Sequence, residues 1–164
     1  MEVNERAVKM ARDLGKLVIM DPAPARDLDD FYFEAAGIMT PNETEAAYLS
    51  GIEVTDPASA RKAAARIAER GLHTVIITLG GAGVLLHREG ESELFPALKV
   101  DVKDTTAAGD SFTGALAVFL GEGKSIEQAV RMASLAAALS TTKLGAQPSL
   151  PERKEFEAFI AARE

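Results

Sequence analysis

The run Asp104-Thr105-Thr106-Ala107-Ala108-Gly109-Asp110 places two carboxylates, two hydroxyls and a stretch of small residues at the start of a helical pattern. The first N–H groups of a helix have no intrahelical acceptor. Small residues let a ligand pass close to them, and the helix dipole attracts an anion such as a phosphoryl group. Asp110, in the first turn, reads either as an ordinary helix-start carboxylate or as a base. Asn42-Glu43-Thr44-Glu45 has the spacing of a capping box, in which Asn42 and Glu45 satisfy each other's backbone. The same residues suit a metal–nucleotide at a strand end, with Glu45 holding Mg²⁺ through water, because magnesium keeps several waters and takes few protein carboxylates. Thr78-Leu79-Gly80-Gly81-Ala82-Gly83 follows one strand pattern and leads into another. It is therefore not the dinucleotide fingerprint, which must open a helix; a tight turn and a nucleotide passing close to the backbone both remain open.

Other chemistries are absent from the sequence. It has no GxxxxGK[ST] loop, no HRD and no DFG, which excludes Walker-type NTPases and protein kinases. With no cysteine there is neither disulfide nor thiolate. His73 and His87 lack metal-ligand spacing and read as surface or strand-end residues, and Asp27, Asp29 and Asp30 as a solvated loop and helix start.

These segments need a scaffold, and the 164 residues suffice for one domain. Hydrophobic residues make up 47% and charged residues 26%, the balance of a globular protein rather than a disordered one. Alanine is abundant and aromatics are only 5%, so packing relies on close contact between small side chains. Lys plus Arg number 18 against 25 Asp plus Glu, a net charge of −7. A chain built to neutralise phosphates needs a basic face, so neither nucleic acid nor an anionic membrane is expected as partner. No apolar run approaches the roughly 18 residues of a membrane span, and the start, Met1 to Arg12, is charged rather than signal-like. The expected location is the cytoplasm.

Helix and strand patterns alternate. Helices are predicted at Val3 to Leu14, Asn42 to Ser50, Pro57 to Arg70, Ala108 to Leu120, Ile126 to Thr142 and Glu152 to Ala162. Strands are predicted at Leu17 to Met20, Gly37 to Thr40, Thr74 to Leu79, Val84 to His87 and Glu93 to Phe95, with a hairpin at Glu89-Gly90-Glu91 and a last edge piece at Val100 and Val102. The expectation is one α/β domain over residues 1–164, three-layer α/β/α, with a mostly parallel sheet. Ligands of such sheets sit outside the carboxyl ends of the strands. That rule selects Asp21 to Arg26, Thr40 to Glu45, Thr78 to Gly83 and Asp104 to Asp110.

Together these segments resemble the carbohydrate kinases of the ribokinase (PfkB) family. Asp104 to Asp110, continuing through Ser111-Phe112-Thr113-Gly114-Ala115-Leu116, is similar to that family's C-terminal signature, DTxAAGDxFxGAL. Asp21-Pro22-Ala23-Pro24-Ala25, Thr40 to Glu45, Thr78-Leu79-Gly80 and Gly145-Ala146-Gln147-Pro148-Ser149 add to the match, the last run pointing to the ribokinase branch. The resemblance implies ATP, Mg²⁺ and K⁺ as cofactors and a small sugar, ribose first, as acceptor. It implies that Asp110 is the general base and that the N–H groups of Ala107, Ala108, Gly109 and Asp110 form an anion hole for the transferring phosphoryl. By the same likeness Asn42, Thr78, Leu79, Gly80, Gly81, Ala82 and Gly83 contact ATP, Gly109 approaches its phosphates, Ser134 lies near the adenine and Glu45 acts on Mg²⁺ through water. Potassium would take the Asp104 carboxylate, carbonyls of Thr106, Ser140, Lys143 and Gly145, and the Ser149 hydroxyl, an all-oxygen set suited to a hard cation.

The likeness covers only the C-terminal half of such enzymes. The other half carries the sugar-binding residues, the N-terminal strands and the lid, so no residue here is assigned to sugar choice. Leu17 to Met20 is expected at an open apolar edge, and alone the chain is expected to turn over weakly or not at all. Two alternatives follow: a nucleotide-binding module that pairs through that edge, as a homodimer or with a separate N-terminal half, and a nonfunctional fragment.

Overall fold

The computed structural model describes residues 2 to 163, so Met1 and Glu164 lie outside it. These residues form two compact units, the first ending at Leu94 and the second beginning at Phe95.

The first unit is built on a sheet of strands β1 (Ile19–Met20), β2 (Ile38–Met39), β3 (Thr74–Thr78), β4 (Val84–Arg88) and β5 (Glu91–Phe95, all but its last residue in this unit), in that spatial order. β1, β2 and β3 run parallel, with Ile19 opposite Ile38 and Ile38 opposite Thr74. β4 returns antiparallel to β3, so the sheet is mixed. The turn from β4 to β5 uses Glu89 at φ 54° and Gly90 at φ 82°. Two positive φ values are what a two-residue hairpin needs to match strand twist.

Helices α1 (Glu2–Asp13), α2 (Asp30–Ala35), α3 (Glu43–Ser50) and α4 (Pro57–Ala68) complete this unit. α4 starts at Asp56, whose side chain accepts from the Ser59 N–H at 2.7 Å, with Pro57 in the first turn. Its buried residues Ala60, Ala63, Ala64 and Ile67 fall at helical spacing on one face. The methyl side chains let the helix sit close to β3, where Val75, Ile76 and Ile77 are fully buried. Phe33 and Tyr32 of α2 and Met39 of β2 fill the same core. Arg70 closes one end, stacking on Phe33 with 3.6 Å from its guanidinium carbon to the ring centre and donating to Asp30 at 2.6 Å.

The second unit holds α5 (Ala108–Gly121), α6 (Ile126–Thr141) and α7 (Arg153–Ala161), with a short 3-10 turn at Gln147–Ser149 before the last. Phe112, Leu116 and Phe119 of α5 are buried along with Ala129, Val130 and Ala133 of α6. Phe119 meets Phe156 of α7 at 5.5 Å between ring centres. No helix among the described residues is long and apolar enough to cross a membrane.

One expectation needs correction and another is narrowed. Val100 and Val102 form no strand: the segment is irregular, Val102 is exposed, and the N–H groups of Lys103 and Asp104 donate to Thr141 O at the end of α6 instead of to a sheet. Of the two positions expected for His87 the structure gives the strand end: it is the next-to-last residue of β4, only 5% exposed, with Nδ1 paired to Ser92 Oγ across the hairpin at 2.8 Å. Burial pushes its imidazole down, opposed by the charge of Glu91. The edge expected at Leu17 to Met20 is there: β1 ends the strand order, and Leu17 is 56% exposed.

Truncating Ile67 to alanine leaves a cavity under α4 and is expected to lower stability by about 2–5 kcal/mol. Leu14→Ala, on an exposed side chain, is expected to stay within about 0.5 kcal/mol. Urea denaturation of both variants checks the packing of α4 on the sheet, and equal midpoints overturn it.

Candidate functional site

In the first unit the sequence places its ligand candidates at the carboxyl ends of β2 and β3. Thr78 N–H donates to Pro41 O at 3.0 Å, and Asn42 forms an isolated bridge with Thr78. Asn42, Glu45 and Thr78 are thus brought together. The capping box is formed in full: Asn42 Oδ1 accepts from Glu45 N–H and Glu45 Oε2 accepts from Asn42 N–H, both at 2.9 Å. Glu45 is buried, with Oε2 engaged by the Asn42 N–H. Among the described residues no three acidic or histidine side chains gather into a metal cluster.

The glycine-rich connection is a 3-10 turn, Gly80–Ala82, closed by Ala82 N–H to Leu79 O at 2.9 Å and Leu79 N–H to Gly83 O at 2.8 Å. Gly80 at φ 47° and Gly83 at φ 109° occupy backbone that side chains rarely adopt. Leu79 is buried and anchors the turn, while Gly80, Gly81 and Ala82 expose their backbone.

In the second unit α5 starts unusually. Its N-cap residue, Ala107, is left-handed at φ 61°, ψ 16°, and no side chain caps the helix. The left-handed region costs an L-residue about 1–2 kcal/mol, and an absent cap forgoes about 1 more. Ala108 N–H turns back to Thr105 O at 3.1 Å. The N–H groups of Gly109 and Asp110 have no acceptor within the helix, and both residues are exposed.

Asp104 holds this start in place. Its Oδ1 accepts from Thr106 N–H at 2.9 Å and from Thr106 Oγ1 at 2.6 Å, while Oδ2 accepts from Gly145 N–H at 2.9 Å. These donors, the Thr106 hydroxyl first, hold its carboxyl down to about 2. Of the other residues assigned to potassium, Ser140 O accepts from Lys143 N–H at 3.1 Å, and Ser149 Oγ donates to Ala146 O at 2.7 Å from a buried position. The groups that the likeness assigns to potassium are all oxygens, and in this structure both Asp104 oxygens accept from N–H groups. Ser134, by contrast, donates its hydroxyl to Val130 O of its own helix at 2.8 Å.

Asp110 also borders a cavity of about 360 Å³, walled by Gly114, Ala115, Phe119, Phe156 and Arg153. Ser111, in the same lining, has a buried hydroxyl with no hydrogen-bond partner. Sequence spacing pointed to neither the cavity nor the ion pair of Lys143 with Glu155 at 2.6 Å. Both arise from contacts of α7 with residues well before it in the chain.

A family model described as pfkB family carbohydrate kinase matches residues 2–153. Ribokinase of Haemophilus influenzae is 46% identical over 156 residues, covering 95% of this chain and 51% of the relative. Ribokinase of Mus musculus is 40% identical over 92% of this chain and 48% of its own length. The crystal structure of ribokinase from Thermotoga maritima superposes with a TM-score of 0.85 at 45% identity, over 94% of this chain and 52% of that one. The structure of Arabidopsis thaliana ribokinase complexed with ribose and ATP gives 0.88 at 33% identity, over 96% and 52%. The architecture is therefore three-layer α/β/α with a mixed five-stranded sheet. The chain spans about half the length of the curated relatives it matches.

A carboxyl group with a depressed folded value stabilises above its unfolded value and loses that contribution as pH falls. The bonds of Asp104 are thus expected to be intact above its unfolded value of about 3.9 and lost as pH falls through about 2. An NMR titration of the Asp104 carboxyl checks the value. Asp104→Asn is expected to flatten the pH dependence of Gly145 amide protection across that window.

Proposed function

The chain belongs to the pfkB family of carbohydrate kinases, and from that premise we propose that it carries the ATP-binding and phosphoryl-transfer residues of a ribokinase-like sugar kinase acting in the cytoplasm. The observation that carries this reading is the start of α5, which forgoes a side-chain cap and strains Ala107, so that N–H groups stay available to an anion. By comparison α3, α4 and α6 each begin with a reciprocal capping box.

In this reading the N–H groups of Ala107, Gly109 and Asp110, joined by that of Ala108 once it leaves Thr105 O, stabilise charge on the transferring phosphoryl, and Asp110 accepts the proton of the attacking hydroxyl. The cavity beside Asp110 falls within the size of small-molecule sites and admits an acceptor. Ribose is the acceptor we favour, because the Arabidopsis relative was solved with ribose and ATP. Asn42 and the turn Thr78 to Gly83 contact the nucleotide, Gly80 to Ala82 being the exposed part of that turn, with Ser134 near its base. Glu45 would hold Mg²⁺ through water, and the Asp104 carboxylate, carbonyls of Thr106, Ser140, Lys143 and Gly145, and Ser149 Oγ would hold K⁺. Those cations, when bound, supply charge neutralisation along the phosphates. The exposed apolar edge at β1 favours a second reading, in which the chain binds nucleotide and pairs through that strand, with its own copy or with a separate chain supplying the relatives' other half.

The test is Mg·ATP binding in potassium buffer by calorimetry, followed by ribose-dependent turnover. Wild type is expected to bind. Gly80→Val, which forces a β-branched side chain to φ 47°, is expected to weaken binding at least tenfold, about 1.4 kcal/mol. Asp110→Asn is expected to keep affinity while lowering any turnover by about 10²–10⁴-fold. No binding by wild type overturns the reading. A solution mass measurement decides the pairing, and a monomer overturns it.

A further inference from the structure

The loop that leaves α6 reaches two places in the second unit. Gly145, at φ 86°, donates its N–H to Asp104 Oδ2 at 2.9 Å. Two residues earlier, the Lys143 ammonium donates to Glu155 Oε2 on α7 at 2.6 Å. That pair is partly shielded, the side chains being 29% and 40% exposed, so it is screened less than a fully exposed pair. Lys143 is also tied at its backbone, its N–H donating to Ser140 O at 3.1 Å. Its side chain is thus a second tie on the short segment between the end of α6 and Gly145.

From Gly145 the contacts continue toward the start of α5. Asp104 uses its second oxygen on Thr106, and Thr106 directly precedes the left-handed Ala107. A strained, uncapped helix start holds its geometry only where neighbouring bonds fix it, and these are the bonds in view. The backbone of Asp104 is held independently, its N–H donating to Thr141 O at 3.2 Å. What the loop adds is therefore the orientation of the carboxylate.

We propose that Glu155 is a positioning residue for the anion hole: through Lys143 it seats the Gly145 N–H on Asp104, and so steadies the N–H groups of Ala107 to Asp110. Its bearing on phosphoryl transfer rests on the reading given under Proposed function. Glu155 touches neither substrate nor reacting atoms, and its effect passes through two loops. A partly exposed ion pair contributes up to about 1 kcal/mol, so the expected change is a few-fold one.

The test is amide hydrogen exchange of the ligand-free full chain, read residue by residue by NMR. Glu155→Gln, which removes the charge and keeps the shape, is expected to raise exchange at Gly145, Thr106 and Ala108 by about two- to fivefold, with the interior of α6 unchanged. Glu155→Asp is expected to recover part of the protection, and the charge reversal Lys143→Glu with Glu155→Lys most of it, since the loop carbonyls are untouched. Three results overturn the proposal: a rise confined to α7 and Lys143, an equal rise throughout the second unit, or no recovery in the reversed pair. The readout needs no nucleotide, so failure of Mg·ATP to bind refutes the kinase reading, whereas unchanged exchange at Thr106 and Ala108 refutes the positioning role.

Discussion

The contacts of Asp104 decide what the second unit can do. An uncapped helix start with a left-handed alanine is unfavourable by itself, because it adds backbone strain to the loss of a cap. In this chain it is bounded by a carboxylate that accepts from Thr106 twice and from Gly145 once. Hydrogen bonds to a charged acceptor are stronger than neutral ones, and these three hold the Asp104 carboxyl below its ordinary value. The same acceptor joins residues 41 positions apart, so the helix start and the loop after α6 are placed together. α7 also lacks a side-chain cap, but it begins on ordinary extended backbone at Glu152 and carries no comparable strain.

The acidic balance of the chain is compatible with the proposed way of holding an anion. A net charge of −7 argues against a broad electrostatic footprint for phosphates. Backbone N–H groups at a helix start need no net positive charge, since their partial charges act over a single turn. In the first unit the turn Gly80–Ala82 presents backbone in the same manner, with Leu79 buried beneath it as an anchor. Neither candidate segment relies on lysine or arginine to meet a phosphate.

Much of the scaffold was legible in the sequence because its signals are local. The run Thr74 to Leu79 is apolar enough to be buried on both faces, and β3 forms there. Asn42 with Glu45 and Asp56 with Pro57 mark helix starts that the structure reproduces. β1 and β2 came out at two residues each, shorter than their apolar runs. The bond from Ile38 N–H to Val18 O opens the parallel ladder at Ile19 opposite Ile38, while Gly37 N–H turns to the same oxygen and adds no further pair before it. Val100 and Val102 carried a strand-like alternation, yet the backbone that follows found its acceptor at the end of α6. The burial of His87 depended on Ser92 crossing the hairpin to meet it, and the Lys143–Glu155 pair on the path of α7. Such partners are set by tertiary contacts, which a spacing rule does not contain.

Within the proposed chemistry, binding and turnover separate for a physical reason. Nucleotide contacts are assigned to Asn42, to the turn after β3 and to the start of α5, all present in this chain. A general base contributes about 10²–10⁴-fold, and only when the hydroxyl it serves is held within hydrogen-bond reach. Positioning two reactants is worth more, about 7–11 kcal/mol when the bound geometry is right. Asp110 borders a cavity whose lining is mostly apolar side chains, with few groups to orient several hydroxyls at once. The residues of this chain thus bear on where the phosphoryl charge goes, and orientation of the sugar is the larger energetic factor for turnover. Affinity for Mg·ATP is accordingly the property that tests these residues most directly, and turnover tests them only together with whatever holds the acceptor.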